Sequence, residues 1–319
     1  MAATVVVCPR RGAALPAAAL PLLRSATDVL AVPGLDAGAA AGAADWTGTD
    51  PAGLADGTVL LVPAGHPAAA HPGAVPPPTG HAVLDAVAVM DRLRSPGGCP
   101  WDAEQTHTSL LRYLVEECYE LYQSIEDGDR TELREELGDV LLQVLFHARV
   151  ATEHDGAPFG IDEVATGLVD KLVGRHPHVF AAGEQVATAA DQDRRWDELK
   201  RAEKQRESSV DGIATVQPAV ALAAKLTSRT AKAGLPADLL PADDGAGAAL
   251  FRLAAAAQLG GADPEAALRT AAREFEARVR SAEKAAAADG LDPHALTAED
   301  WRRYWDGPWP PPRSGDTRR

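Results

Sequence analysis

Cysteine is scarce. Cys8, Cys99 and Cys118 are the only three in 319 residues, an odd number at wide spacing with no Cys-x-x-Cys pair. That argues against a disulfide framework and a cysteine zinc site, and it fits a reducing cytoplasm. Positive charge is also short. There are 31 Lys+Arg against 46 Asp+Glu, a net charge of −15. A general nucleic-acid or polyanion surface needs the opposite balance, although a small anionic ligand held through metal ions does not. No run is long enough to span a membrane. The longest apolar stretch near the N-terminus, residues 12–23, is broken by Pro16 and Pro21. Arg10-Arg11 before it imitates an export signal. The strand-like Val5-Val6-Val7 precedes the arginines, however, and no small-residue cleavage site follows, so a cytoplasmic location is expected. Neither a GxGxxG fingerprint nor a P-loop occurs.

What is present is a chain long enough for about two domains, with 46% hydrophobic and 24% charged residues, the balance of a soluble globular protein. Residues 1–80 are rich in Ala, Gly and Pro and hold two strand-like runs, at residues 4–8 and 59–62. Within them, residues 66–79 (HPAAAHPGAVPPPT) have the composition of a linker. Residues 81–206 are helical in pattern and carry nearly all the chemically suggestive side chains. Residues 207–306 are helical and alanine-rich. Residues 307–319, beginning GPWPPP, are expected to be disordered.

The central region divides into four helices. The first covers residues 83–94 and stops at Ser95-Pro96-Gly97-Gly98. The second covers about 108–126 and ends at Asp127-Gly128-Asp129. The third covers about 130–153, with Asp129 as its cap and Glu132 at capping-box spacing. Asp162 is the expected cap of the fourth, which ends before Pro177. The short connection between the second and third makes them antiparallel neighbours.

Those two helices carry the acids. EECYE supplies Glu116, Glu117 and Glu120, and EELGD supplies Glu135, Glu136 and Asp139. Glu117/Glu120 and Glu136/Asp139 are each three apart, so each pair shares a helix face. A solvated acidic face is the ordinary meaning of such pairs. Here the acids interrupt apolar surface: Glu117 falls beside Leu110, Leu114 and Leu121, Glu136 between Val140 and Val150, and Asp139 between Phe146 and Val150. A partly buried carboxylate is costly unless it is paired or binds a metal. Four such carboxylates on antiparallel helices form a cage for a hard cation, Mg²⁺ or Mn²⁺. A di-iron site would want Glu-x-x-His on two helices. Glu104-Gln105-Thr106-His107 is a lone match without a twin, and His147 is off the ligand spacing, so both histidines are read as packing or surface residues. On the next helix Lys171 and Arg175 are four apart, a point charge and a fork suited to clamping a polyphosphate.

The chain resembles the MazG nucleoside triphosphate pyrophosphohydrolases. The resemblance rests on SPGGCPWDAEQT (95–106), LVEECYELYQSI (114–125), LREELGDVLLQVLFHAR (133–149) and DKLVGRHPHVF (170–180), four blocks in order over about 85 residues. It implies a mainly all-α fold, a helical bundle assembled as a homodimer. It also implies Mg²⁺-dependent hydrolysis of NTPs or dNTPs to the monophosphate and pyrophosphate, with Mn²⁺ as a substitute. Carried over, Glu117, Glu120, Glu136 and Asp139 are the metal ligands. Glu116 orients them or assists the attacking water, Lys171 and Arg175 contact phosphates, and Trp101 and Asp102 sit near the nucleotide. Cys118 is read as a core residue. The alternative is a non-catalytic bundle that senses nucleotides or scaffolds a partner. A sensor tolerates the loss of an acid, so the intact set favours the enzyme.

Longer members of that family carry two such units, and residues 217–285 resemble a second, degenerate one. Laying GAALFRLAAAAQL on GDVLLQVLFHAR puts Gly245 at the place of Glu136 and Ala248 at that of Asp139. Glu274 then stands for Lys171 and Arg278 for Arg175. No EExxE equivalent precedes them, and a scaffold role is expected. Some relatives fuse a tetrapyrrole methylase-like domain at the N-terminus. Val59-Leu60-Leu61-Val62 followed by Pro63-Ala64-Gly65-His66-Pro67 resembles a remnant of one, to which no activity is assigned.

Overall fold

The computed structural model describes residues 3–8, 15–77, 79–181, 188, 191, 192, 195 and 207–305. The expected disordered tail lies outside them, as does most of 182–206. Among the described residues there are four strands and twelve α-helices. The chain forms two compact units, Met1–Gln185 and Val186–Arg319. No helix among the described residues is long and apolar enough to cross a membrane.

The first unit opens on a small parallel sheet of β1 (Thr4–Cys8), β2 (Asp28–Ala31), β3 (Ala44–Asp45) and β4 (Thr58–Pro63) in the order β1-β4-β2-β3. Its central strands are nearly continuous Val and Leu because both faces are covered. Val6, Cys8, Val59 and Leu61 pack on one side, and Val5, Val7, Leu60 and Val62 on the other. Helices α1 (Ala19–Ser25) and α2 (Asp36–Ala40) lie in the crossovers. Cys8 is fully buried, which pushes its thiol up to about 11. The Pro-rich stretch after β4 departs from the linker reading. Val75 exchanges two backbone hydrogen bonds with β1, from its N–H to the Val5 carbonyl (2.8 Å) and from the Val7 N–H to its own carbonyl (2.9 Å). Composition registers the prolines but misses the single valine that extends the sheet edge.

The helices follow: α3 (His81–Arg94), α4 (Pro100–Glu104), α5 (His107–Asp127), α6 (Arg130–Ala151), α7 (Ile161–Arg175) and α8 (Pro177–Phe180). Helix α5 starts with a reciprocal cap. Thr106 Oγ1 accepts from the Ser109 N–H (3.1 Å), and Ser109 Oγ accepts from the Thr106 N–H (2.9 Å). It stops at Gly128, whose φ of 72° is left-handed and suits glycine. Asp129 Oδ1 then accepts from Thr131 and Glu132 to start α6. Two residues between helices leave room only for an antiparallel hairpin. The fourth helix differs from expectation at its start. Gly160 is the N-cap, and Glu163, not Asp162, closes it by accepting from the Gly160 N–H (2.8 Å). Glu163 sits at N3, from which a side chain reaches back to the cap.

Met90 of α3, Leu110 of α5, and Leu145 and Phe146 of α6 form the core of this part, with Ile161 of α7 partly buried against it. A polar clamp fixes the turn before α4. Arg94, its side chain 6% exposed, donates to both carboxylate oxygens of Glu153 (2.9 and 2.8 Å) and to the Asp102 carbonyl. Glu153 also accepts from Arg149, which reaches Asp91 as well. Its carboxyl is held below the usual range, chiefly by the Arg94 hydrogen bond.

The second unit contains α9 (Ala219–Lys232), α10 (Ala246–Leu259), α11 (Pro264–Ala288) and α12 (Ala298–Tyr304). Its helix contacts are made by small residues: Ala223 and Ala224, Ala248, Ala254 and Ala255, and Ala282 and Ala286 are all buried.

Candidate functional site

Helices α5 and α6 bring three acids together. Glu117, Glu136 and Asp139 each offer a carboxylate oxygen, and these oxygens lie within 4.8 Å of one another. All three residues are half-buried. Oε2 of Glu136 is shut off from solvent and has no hydrogen-bond partner. Partial burial raises the carboxyl pKa of both Glu117 and Glu136, and the neighbouring negative charges raise it further. Those charges are Asp139, Glu120, Glu136 and Glu116 for Glu117, and Glu120, Asp139, Glu135 and Glu132 for Glu136. Clustered carboxylates that disfavour their own ionisation, one with an orphaned oxygen, fit a divalent cation: a hard ion satisfies the orphan and cancels the repulsion. Oxygen-only donors match Mg²⁺ or Mn²⁺.

The other expected site residues take several positions. Glu120 is exposed and stands outside the three-residue group, yet its charge acts on both Glu117 and Glu136. Glu116 is exposed beside Glu117. Lys171 is exposed and Arg175 half-buried, one turn apart on α7, which packs against α6. Trp101 is 50% exposed, and its ring meets Tyr113 and Phe146 edge-on, with centroids at 6.0 and 6.3 Å. Tyr113 lies one turn before Glu117 on the same face of α5. Asp102 is half-buried, with its backbone carbonyl bound by Arg94. Cys118, expected in the core, is exposed. It follows Glu117 by one position, and 100° of rotation carries it off the packed face.

Two features escaped the sequence reading. His107 and His147 are partners, with Nδ1 to Nδ1 at 2.8 Å and rings within 5° of parallel. Burial, and then the neighbouring His107, lower the His147 pKa. Gln143 is buried in α6 at 4% exposure with Oε1 unpartnered. The available signal was a lone polar residue inside LLQVLF, four after Asp139 and four before His147.

Residues 105–180 match the family model of the MazG nucleotide pyrophosphohydrolase domain. The nucleoside triphosphate pyrophosphohydrolase of Mycolicibacterium smegmatis is 47% identical over 72% of this chain and 72% of its own length. The nucleoside triphosphate pyrophosphohydrolase/pyrophosphatase MazG of Thermotoga maritima is 36% identical over 69% of this chain and 92% of its own. An uncharacterized 26.1 kDa protein of Streptomyces cacaoi is 52% identical over 64% of this chain and 84% of its own. On the strength of these relatives, the chain belongs to the MazG family of nucleotide pyrophosphohydrolases, a family of hydrolases.

Proposed function

We propose that this protein hydrolyses nucleoside triphosphates, NTPs or dNTPs, to the monophosphate and pyrophosphate. The observation that carries the reading is the convergence of Glu117, Glu136 and Asp139 on one point between α5 and α6, with Glu136 Oε2 buried and unpartnered. These three, joined by Glu120, would hold the metal, Mg²⁺ by preference with Mn²⁺ as substitute. When bound, such an ion polarises phosphate oxygens and lowers the pKa of coordinated water. Glu116 would accept a proton from the attacking water. Lys171 and Arg175 meet the β- and γ-phosphates and stabilise charge on the departing pyrophosphate. Trp101 offers a half-exposed ring for the base, and Asp102 lies beside it. The nucleophile is water, so no activated serine or cysteine is required.

Val115 and Ile125 on α5, Leu137 on α6, and Leu168, Val169 and Leu172 on α7 are all exposed. Large apolar residues left exposed on three consecutive helices fit an interface between two copies, so a homodimer is part of the proposal. Light scattering tests it. A cytoplasmic role in clearing non-standard nucleotides, with neither nucleic acid nor membrane as partner, completes the reading. Residues 207–306 act as scaffold.

The deciding experiment is a panel of NTPs, dNTPs and oxidised dNTPs with Mg²⁺ and with EDTA, followed by hydrolysis in ¹⁸O water. Label in the monophosphate is expected. Label in free orthophosphate with NDP as co-product would make this a γ-phosphatase.

A further inference from the structure

The polar stripe of α6 continues beyond the acids. Glu136, Asp139, Gln143 and His147 follow one another at intervals of three, four and four residues, the spacing that stacks side chains on one helix face. Three of them hold a side-chain atom that is closed off from solvent and unpartnered: Oε2 of Glu136, Oε1 of Gln143 and Nε2 of His147. The other ring nitrogen of His147 is committed to His107. Gln143 stands between the acids and this histidine pair, at 4% exposure. An amide in that position pays a desolvation penalty that a leucine of similar size would avoid. Packing alone therefore does not account for it.

Its position limits what it meets. Helical rise puts Gln143 about 6 Å beyond Asp139 along the axis. With the α-phosphate at the acids, the next part of a nucleotide is the sugar. A neutral carboxamide is poorly suited to compensating phosphate charge. It offers a donor and an acceptor together, the complement of a hydroxyl, which also has both. We propose that Gln143 recognises the sugar of the bound nucleotide by hydrogen bonding its 3′-hydroxyl. The proposal rests on reading Glu117, Glu136 and Asp139 as the phosphate-side metal site. Oε1 of Gln143, unpartnered in the structure, then gains a partner when substrate binds, so its burial cost favours occupancy by the right sugar.

The test is calorimetric titration of the full-length protein with Mn²⁺ and non-hydrolysable α,β-methylene analogues of one 2′-deoxy- and one 2′,3′-dideoxynucleoside triphosphate. Wild type is compared with Gln143→Met, and with Gln143→Leu should Met disturb packing. Wild type is expected to bind the 3′-hydroxyl analogue about tenfold more tightly, equivalent to about 1.4 kcal/mol. The variant is expected to bind both analogues equally, at the dideoxy level. Binding of Mn²⁺ alone should be unchanged, and the melting temperature of the variant should not fall. Absence of discrimination or of analogue binding in wild type, or its persistence in the variants, overturns the proposal. Loss of Mn²⁺ binding alone in the variant would make Gln143 part of the metal site and overturns it too, as would a variant that changes only its state of association. Turnover of NTPs by wild type is read separately. Turnover without sugar discrimination sinks this proposal and spares the activity. Discrimination without turnover does the reverse.

Discussion

Helices α5 and α6 run for 21 and 22 residues, whereas α9 and α10 run for 14 each. The missing length falls where the chemistry would be. Helix α6 starts at Arg130, well before Glu136 and Asp139. Helix α10 starts at Ala246, so Gly245, which the sequence alignment lays on Glu136, is only its N-cap. Ala248, laid on Asp139 by the same alignment, is buried in the first turn. Where the first hairpin gathers mutually repelling carboxylates and leaves three polar atoms unpaired along α6, the second packs alanine on alanine. Among the described residues, Glu117, Glu136 and Asp139 form the one group of three able to hold a metal, and none lies in the second unit. The contrast separates the two demands on a helix pair: packing needs small apolar faces, and catalysis needs side chains that packing alone would reject.

The largest expected effect tests that separation directly. Glu117→Ala, Glu120→Ala, Glu136→Ala and Asp139→Ala should each lower turnover by at least about a hundredfold, with the fold retained by circular dichroism. Near wild-type turnover in Glu136→Ala or Asp139→Ala would remove the metal assignment. Because each change also removes like-charge repulsion, the metal-free variants should melt no earlier than the metal-free wild type.

The next effect is on stability and should be confined to one hairpin. A cation at about one hundred times its dissociation constant stabilises the state that binds it by about 2.7 kcal/mol. Amide exchange in 107–151 should therefore slow with Mg²⁺, and exchange in 219–259 should not. Equal slowing in both would mean that the ion is not read by the acids of α5 and α6. Smaller still are the changes in the second unit. Glu274→Ala and Arg278→Ala, at the positions that the sequence alignment lays on Lys171 and Arg175, should leave the rate within about threefold, a difference below about 1 kcal/mol. Loss of turnover in either variant with the fold intact would give the second unit a place in catalysis.

Local signals carried much of this molecule. The turn between α5 and α6 was legible because Gly128 and Asp129 are a stop and a cap whose geometry is set by their own side chain or lack of one, whereas the Thr106 cap that starts α5 went unread. The half-burial of Glu117, Glu136 and Asp139 was legible because the acids fall on an apolar helical stripe. What the sequence concealed depends on the pairing of distant segments. Val75 joins β1 across about seventy residues, and nothing in a Pro-rich stretch marks one valine for the sheet edge. His107 and His147 are 40 apart, and each on its own helix looks like an ordinary amphipathic contact. Gln143 needed both helices before its burial could be seen.

That histidine pair gives the smallest effect and a last way to tell the hairpins apart. Burial and the neighbouring His107 lower the pKa of His147 below its usual 6.5. As pH falls through 6.5 the unfolded chain takes up the proton first, so the unfolded state binds more protons and stability declines with falling pH. The decline ends once the pH is below the folded value. The raised carboxyls of Glu117 and Glu136 act in the opposite sense, so the comparison with a variant that lacks only the His147 imidazole isolates the histidine. Urea denaturation of the metal-free protein between pH 7 and 5.5 should show a shallow loss of stability, and His147→Phe should flatten it. The α9–α10 hairpin contains no histidine, and its unfolding followed by amide exchange, corrected for intrinsic rates, should be flat over the same interval. An equal slope in wild type and His147→Phe would mean that the 2.8 Å contact does not hold His147 in its neutral form, and the distinction between the hairpins would then rest on the acids and Gln143 alone.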